Sequence, residues 1–188
     1  MPSFSPVHLP DGFLFTEVST PHGPFALLAA HGALVSCGWG EGPTQLLRRV
    51  HASLLAPCGE EVSSTAEALR QAAEAVASYY ADPLSPALRE VPLKQPGGDF
   101  TGRAWQRLAD IAPGDTVSYA QLAALAGNPR AYRAAANACA RNALPLFIPC
   151  HRVTATGGAL GGFRYGSAIK TALLEREDAA YRAAHPGS

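Results

Sequence analysis

Short apolar runs dominate the first forty residues. "PFALLAA" (24–30) and "ALVSCGWG" (33–40) flank His31-Gly32, which predicts a β-hairpin. From Pro43 the spacing becomes helical and continues through "TQLLRRVHASLLA". A second helix is expected over "STAEALRQAAEAVASYYA", with Ser64 and Glu67 at capping-box spacing and Asp82-Pro83 as its end. "DPLSPALREVPLKQPGGD" (82–99) is rich in proline and glycine and marks a domain boundary. We divide the chain there, into 1–93 and 94–188.

The second half reads as helices. "FTGRAWQRLADI" turns Phe100, Trp105 and Leu108 to a core. In "VSYAQLAALAGNPRAYRAAANACARN", Ser118 and Gln121 form a second capping box, Gly127 suits a C-terminal cap, and Asn128-Pro129 suits an N-cap followed by proline at the first helical position. Two helices joined so tightly predict a helix-turn-helix. On the second, Arg130, Arg133, Asn137 and Arg141 fall on one stripe, opposite Ala131, Ala135, Ala138 and Cys139. Alanines between them leave the stripe free to approach a surface.

Composition narrows the function. The net charge is zero, yet residues 1–97 carry five basic and nine acidic side chains, so the remainder is positive by four. No Asp or Glu occurs between Asp115 and Glu175, a span holding Arg130, Arg133, Arg141, Arg152, Arg164 and Lys170. Such a segment suits a polyanion, and equally a solvated face. The opening "MPSFSPVHLPDG" lacks the pattern of a signal peptide, and no stretch has the length of a membrane span, so an intracellular protein is expected. Cys37, Cys58, Cys139 and Cys150 are then expected as thiols, Cys37 in the core. With no CxxC pair, and with His22 and His51 completing no zinc spacing, no metal is expected.

"LPLFIPCHRV" (144–153) ends an apolar run in Pro149, Cys150, His151 and Arg152. A nucleophilic thiol needs a base or a positive neighbour. His151 follows directly, but adjacent side chains in an extended segment point apart, so it reaches Cys150 through a water or a bend. An orienting carboxylate is also required, with Glu175 and Glu177 as candidates. A buried structural cysteine beside a surface histidine is the alternative. "ATGGALGGFRYG" (155–166) does not fit a dinucleotide fingerprint; it suits a hairpin wing or a pliable pocket wall.

"IPCHRV", preceded by Arg141-Asn142 and followed by the glycine-rich loop, resembles the active-site motif of the 6-O-methylguanine-DNA methyltransferases, which move an alkyl group onto their own cysteine. The likeness runs from about Phe100 to Glu177, and "TPHGPFALLAA" more weakly resembles the family's amino-terminal domain. The resemblance implies an α+β protein: a small α/β, ribonuclease H-like domain, then a mainly helical winged-helix-type domain. It implies that Cys150 is the alkyl acceptor, that His151 takes its proton through a water, and that Glu177 orients the ring. Asn142 would brace the turn before the cysteine loop, and Tyr119 would hydrogen-bond the departing guanine. Arg133 would fill the space of a flipped nucleotide, on a helix whose Arg130, Asn137 and Arg141 also meet DNA. Val153, Phe163, Arg164 and Lys170 would form the base pocket.

The implied partner is double-stranded DNA bearing an alkylated guanine, met by a monomer in the cytoplasm, or in the nucleus of a eukaryote, with no cofactor and no membrane. Flipping is required because a stacked base cannot present its 6-oxygen to a buried sulfur. Four positions depart from the family pattern: Ala136 and Asn137 where two glycines are common, Ala143 where proline is usual, and Phe163 where tyrosine is frequent. These affect substrate preference and rate more than reaction type. Two other readings compete: a lesion-binding protein that performs no transfer, and a Cys/His hydrolase.

Overall fold

His31 and Gly32 both lie in the left-handed region, at φ 53° and 70°. That pair of positive angles is the signature of a type I′ turn, whose twist matches the strands it joins. The computed structural model describes residues 5–57 and 62–186. Cys58 and the start of the opening segment lie outside the described residues.

The hairpin belongs to an antiparallel sheet in the order β1 (Val7–His8), β2 (Leu14–Thr20), β3 (Gly23–Ala30), β4 (Ala33–Trp39). One face carries Phe15, Ala26, Leu28, Ala30 and Val35 into a cluster with Leu46 and Val50, at and beyond α1 (Pro43–Leu47). The alternate set, Phe25, Leu27, Cys37 and Trp39, points the other way, where α2 (Val62–Ala81) lies across β2, β3 and β4. Trp39 Nε1 donates to the Tyr80 hydroxyl of α2 at 3.2 Å. With both faces covered, β3 and β4 can be apolar almost throughout, and Cys37 is a core residue. After the short α3 (Ala87–Glu90), Leu93 bridges in parallel to Leu34, and Lys94 N donates to Leu34 O at 3.0 Å. This first unit thus runs through Ala81 and takes in Ser85–Pro96.

Two expectations fail here. The helix opening at Pro43 stops at Leu47: Arg49 and Val50 donate to Leu46 O and Leu47 O in tighter turns, and His51 is then extended (φ −62°, ψ 138°), its ring accepting the Ser53 N–H at the start of a separate 3₁₀ turn, Ala52–Leu54. Ser64 and Glu67 do not head their helix either. Val62 is already helical, and the Glu67 carboxylate is engaged by Arg70 at 2.6 Å and Gln71 at 2.8 Å. Asp82 does follow the last helical residue.

The second unit comprises Asp82–Leu84 and the chain from Gly97 onward. Helices α4 (Asp99–Asp110), α5 (Tyr119–Leu125) and α6 (Tyr132–Ala140) pack on one another. Trp105 of α4 is buried and donates from Nε1 to Ala138 O at 2.9 Å, so one side chain both fills the core and ties α4 to α6. The predicted capping box forms: Ser118 Oγ accepts the Gln121 N–H and the Gln121 side chain accepts the Ser118 N–H. At the far end of α5, Gly127 (φ 87°) donates to Ala124 O and Asn128 donates to Ala123 O, a Schellman closure that the glycine permits. Between β5 (Val117–Ser118) and β6 (Val153–Thr154) runs a parallel two-residue ladder, and α7 (Ser167–Ala184) ends the described fold.

Candidate active site

Between α6 and β6 every residue from Asn142 to Val153 is buried. The backbone polar groups of such a stretch need internal partners, and Asn142 supplies two: its Nδ2 donates to Ile148 O at 2.7 Å, and its Oδ1 accepts the Leu144 N–H at 3.0 Å. Leu146 lies between them at φ 74°. Pro149 (φ −78°, ψ 66°) is the centre of an inverse γ-turn, closed by Cys150 N donating to Ile148 O at 2.8 Å. The proline ring presets that φ, which is why the apolar run ends in proline.

The turn delivers Cys150, 8 % exposed, to the edge of a cavity of about 520 Å³. Tyr119, Ala136, Cys139, Asn142, Phe163 and Arg164 are among the residues that line it. Cys150–Arg152 form a 3₁₀ turn and not the extended segment expected, so three successive side chains fan around the axis. The His151 ring is fully buried and bonds Glu177 Oε1 of α7 at 2.9 Å. Arg152 grips the same carboxylate from Nε at 2.9 Å and Nη2 at 3.0 Å, and its Nη1 donates to Ile111 O at 2.5 Å. Of the two candidate carboxylates, Glu177 therefore faces the histidine, while Glu175 is exposed.

Burial raises the Cys150 thiol, against the pull of the Asn142 amide, Lys170 and Arg164, so the resting sulfur carries its proton. Burial likewise lowers His151 despite Glu177, leaving the ring neutral at neutral pH. Burial would raise Glu177, but His151 and Arg152 hold its carboxyl down at about 2. With the imidazole neutral, the standing positive charge beside that carboxylate is Arg152. An ionised carboxylate only accepts, so His151 bears its proton on Nε2. Its Nδ1 is buried and has no hydrogen-bond partner among the described residues. A neutral histidine with a free lone pair is a base in waiting. Burial, followed by Cys139 and Cys150, raises Tyr119, whose phenol stays a proton donor.

The other residues of interest divide by position. Phe163 and Arg164 line the cavity; Val153 and Lys170 are not among its lining residues. Lys170 is wholly buried and donates from Nζ to Val153 O at 2.5 Å and to Leu160 O, pinning the glycine-rich loop to α7 and β6. Arg164 Nη2 reaches back to Ala140 O at 2.6 Å, at the end of α6.

Arg133 and Asn137 on α6 and Arg141 at its C-cap are exposed, with Asn137 also at the cavity rim, and Ala135 and Ala138 form the buried side. Arg130 is not on this helix. Asn128 Oδ1 accepts the Arg130 N–H at 3.2 Å and Asn128 O accepts that of Ala131 at 3.0 Å, so residues 128–131 form a turn and α6 begins only at Tyr132. The sequence reading missed Arg152 as Glu177's second partner and Cys139 as a second thiol on the cavity wall. The pointer to the first was the long acid-free span around Arg152; nothing pointed to the second.

Among the described residues no group of histidines, cysteines and carboxylates could hold a metal ion, and no helix is long and apolar enough to cross a membrane.

The family model for the 6-O-methylguanine DNA methyltransferase DNA-binding domain matches residues 99–179. The regulatory protein ada of Salmonella typhimurium is 50% identical over 90 residues, 48% of this chain and 26% of that protein, so the chain spans about a quarter of that relative's length. A methylated-DNA–protein-cysteine methyltransferase of Methanosarcina barkeri is 38% identical over 109 residues, 58% of this chain and 68% of that one. The crystal structure of Mycobacterium tuberculosis OGT in complex with DNA superposes with a TM-score of 0.70 at 30% identity, covering 88% of this chain and 93% of the other. The likeness extends over both units, and with relatives of this identity and coverage the chain belongs to the 6-O-methylguanine-DNA methyltransferase family.

Proposed function

We propose that the protein repairs duplex DNA by transferring the alkyl group of a 6-O-alkylguanine irreversibly to Cys150. The observation that carries this reading is the sulfur at the edge of a cavity roomy enough to admit a purine, followed in the chain by a neutral histidine whose outer nitrogen is tied to a carboxylate.

The base is everted into the cavity, since its 6-oxygen is out of reach in the stack. Arg133, exposed near the start of α6, fills the space it leaves, while Arg130, Asn137 and Arg141 meet the backbone. The Cys150 proton passes through a water to His151 Nδ1, and Glu177, held ionised by Arg152, steadies the imidazolium that results. The thiolate attacks the alkyl carbon, an S–C bond forms and the C–O6 bond breaks. The electron pair left on guanine is met by the Tyr119 hydroxyl. Phe163 and Arg164 wall the pocket, and Val153 and Lys170 hold that wall in place. A thioether has no leaving group for the reverse step, so each molecule acts once.

In finer detail we read the first unit as a small ribonuclease H-like α/β domain and the second as a winged-helix-type domain, divided within residues 82–99. The M. tuberculosis neighbour, described as bound to DNA, supports duplex DNA as the partner.

The test is intact mass after mixing with a duplex that carries one 6-O-methylguanine. A single gain of one methyl in place of one hydrogen, mapped to Cys150 and absent from Cys150→Ala, is expected. Binding of that duplex with no gain in mass would refute the transfer.

A further inference from the structure

Helix α6 is built of small residues except at its start. Ala134, Ala135, Ala136, Ala138 and Ala140 run along it, while Tyr132 occupies its first position and is 50% exposed. The ring adds little to the core, whose contributions from this helix are Ala135 and Ala138. What the ring does meet is the next side chain: Arg133 Cζ lies 5.7 Å from the Tyr132 ring centroid. That is inside the ~6 Å range over which a guanidinium is drawn to an aromatic face.

Resting on the reading of Arg133 as the inserted side chain, we propose that Tyr132 is a positioning residue for strand entry. Its ring face holds the guanidinium before DNA arrives. An exposed arginine samples many rotamers and must be ordered to enter a base stack. A ring that has already selected the conformer removes part of that entropic loss at the moment of binding. The contact also leaves the guanidinium fork free, because attraction to a π-face uses none of its five N–H donors. Tyr132 touches neither the cavity nor the sulfur, so its effect is confined to eversion of the base.

The experiment reads eversion without chemistry, in a Cys150→Ala background, from the brightening of a 2-aminopurine set beside a 6-O-methylguanine in duplex DNA as protein is titrated. Tyr132→Leu keeps bulk but has no π-face, and it should weaken the eversion equilibrium roughly two- to fivefold, the range for an exposed cation–π contact. Tyr132→Phe should match the unsubstituted protein. Added to Arg133→Ala, Tyr132→Leu should cause no further loss, and melting curves show that each variant is folded. The proposal falls if Phe loses as much as Leu, which would assign the effect to the hydroxyl. It falls equally if Leu has no effect, if its effect persists in the Arg133→Ala background, or if the unsubstituted protein produces no brightening. Methyl gain at Cys150, measured in parallel with the cysteine intact, judges the transfer reaction separately.

Discussion

Replacing Glu177 by glutamine removes one charge from a fully buried carboxylate and leaves the Arg152 guanidinium, 6% exposed, without its ion-pair partner. Two routes give the size of the effect. The carboxyl lies at about 2 against an ordinary 4.5, and at ~1.36 kcal/mol per pH unit this is at most about 3 kcal/mol of native stability near neutrality, where His151 is neutral and Arg152 alone supplies the charge. Breaking a buried pair by removing one partner costs about 3–5 kcal/mol. Since the native pKa is depressed, the contribution is complete above 4.5 and fades as the pH falls toward 2. The assay is urea unfolding followed by Trp105 fluorescence, in a Trp39→Phe background that removes the other tryptophan. At neutral pH the Glu177→Gln midpoint should drop by roughly 1–3 M, using an m-value of about 1–3 kcal/mol per M. At pH 3 the gap between the two proteins should shrink to less than half its neutral value. Equal midpoints at neutral pH, or a gap that persists unchanged on acidification, would show that Glu177 is not the counter-ion described.

Two further outcomes follow from the same geometry. Asn142→Ala orphans the buried Leu144 N–H and removes the bond to Ile148 O, which should cost about 2–4 kcal/mol in unfolding experiments. It should also slow methyl transfer by roughly tenfold or more, the factor that ~1.4 kcal/mol at the transition state implies; an unchanged rate would mean that the turn holds its shape unaided. Because burial lowers His151, the acid limb of the transfer rate should lie below pH 6.5, the ring remaining a base until then. Rates measured across that range check this, and a limb at or above 6.5 would assign the proton acceptor elsewhere.

What could be read in advance followed the distance over which each feature is determined. The Ser118–Gln121 cap and the Gly127 closure are settled within a few residues of chain, so their letters sufficed. Local letters misled where another partner was equally at hand: Glu67 goes to Arg70 and Gln71, and Asn128 binds the Arg130 N–H in a turn that precedes α6. Cys150 was legible because a proline, a thiol and a histidine in sequence form an unusual ending to an apolar run. Arg152 was not, since its acceptors are Ile111 O and Glu177, 41 and 25 residues away, and only the folded unit brings them together. Lys170 donates to two carbonyls, those of Val153 and Leu160, that no spacing reveals.

The shorter of the two sheets among the described residues sets the gauge for the proposed chemistry. Val117 pairs with Val153 and Ser118 with Thr154; Tyr119 begins the next helix, and Cys150 lies three residues before the other rail. A slip of one rung would carry the phenol about 3.3 Å past the sulfur, and would also turn its strand over. The proposed proton donor and nucleophile would then no longer face one substrate. Under the proposed function, any redesign of the intervening helices is free to change how they would grip DNA, provided those two rungs stay aligned.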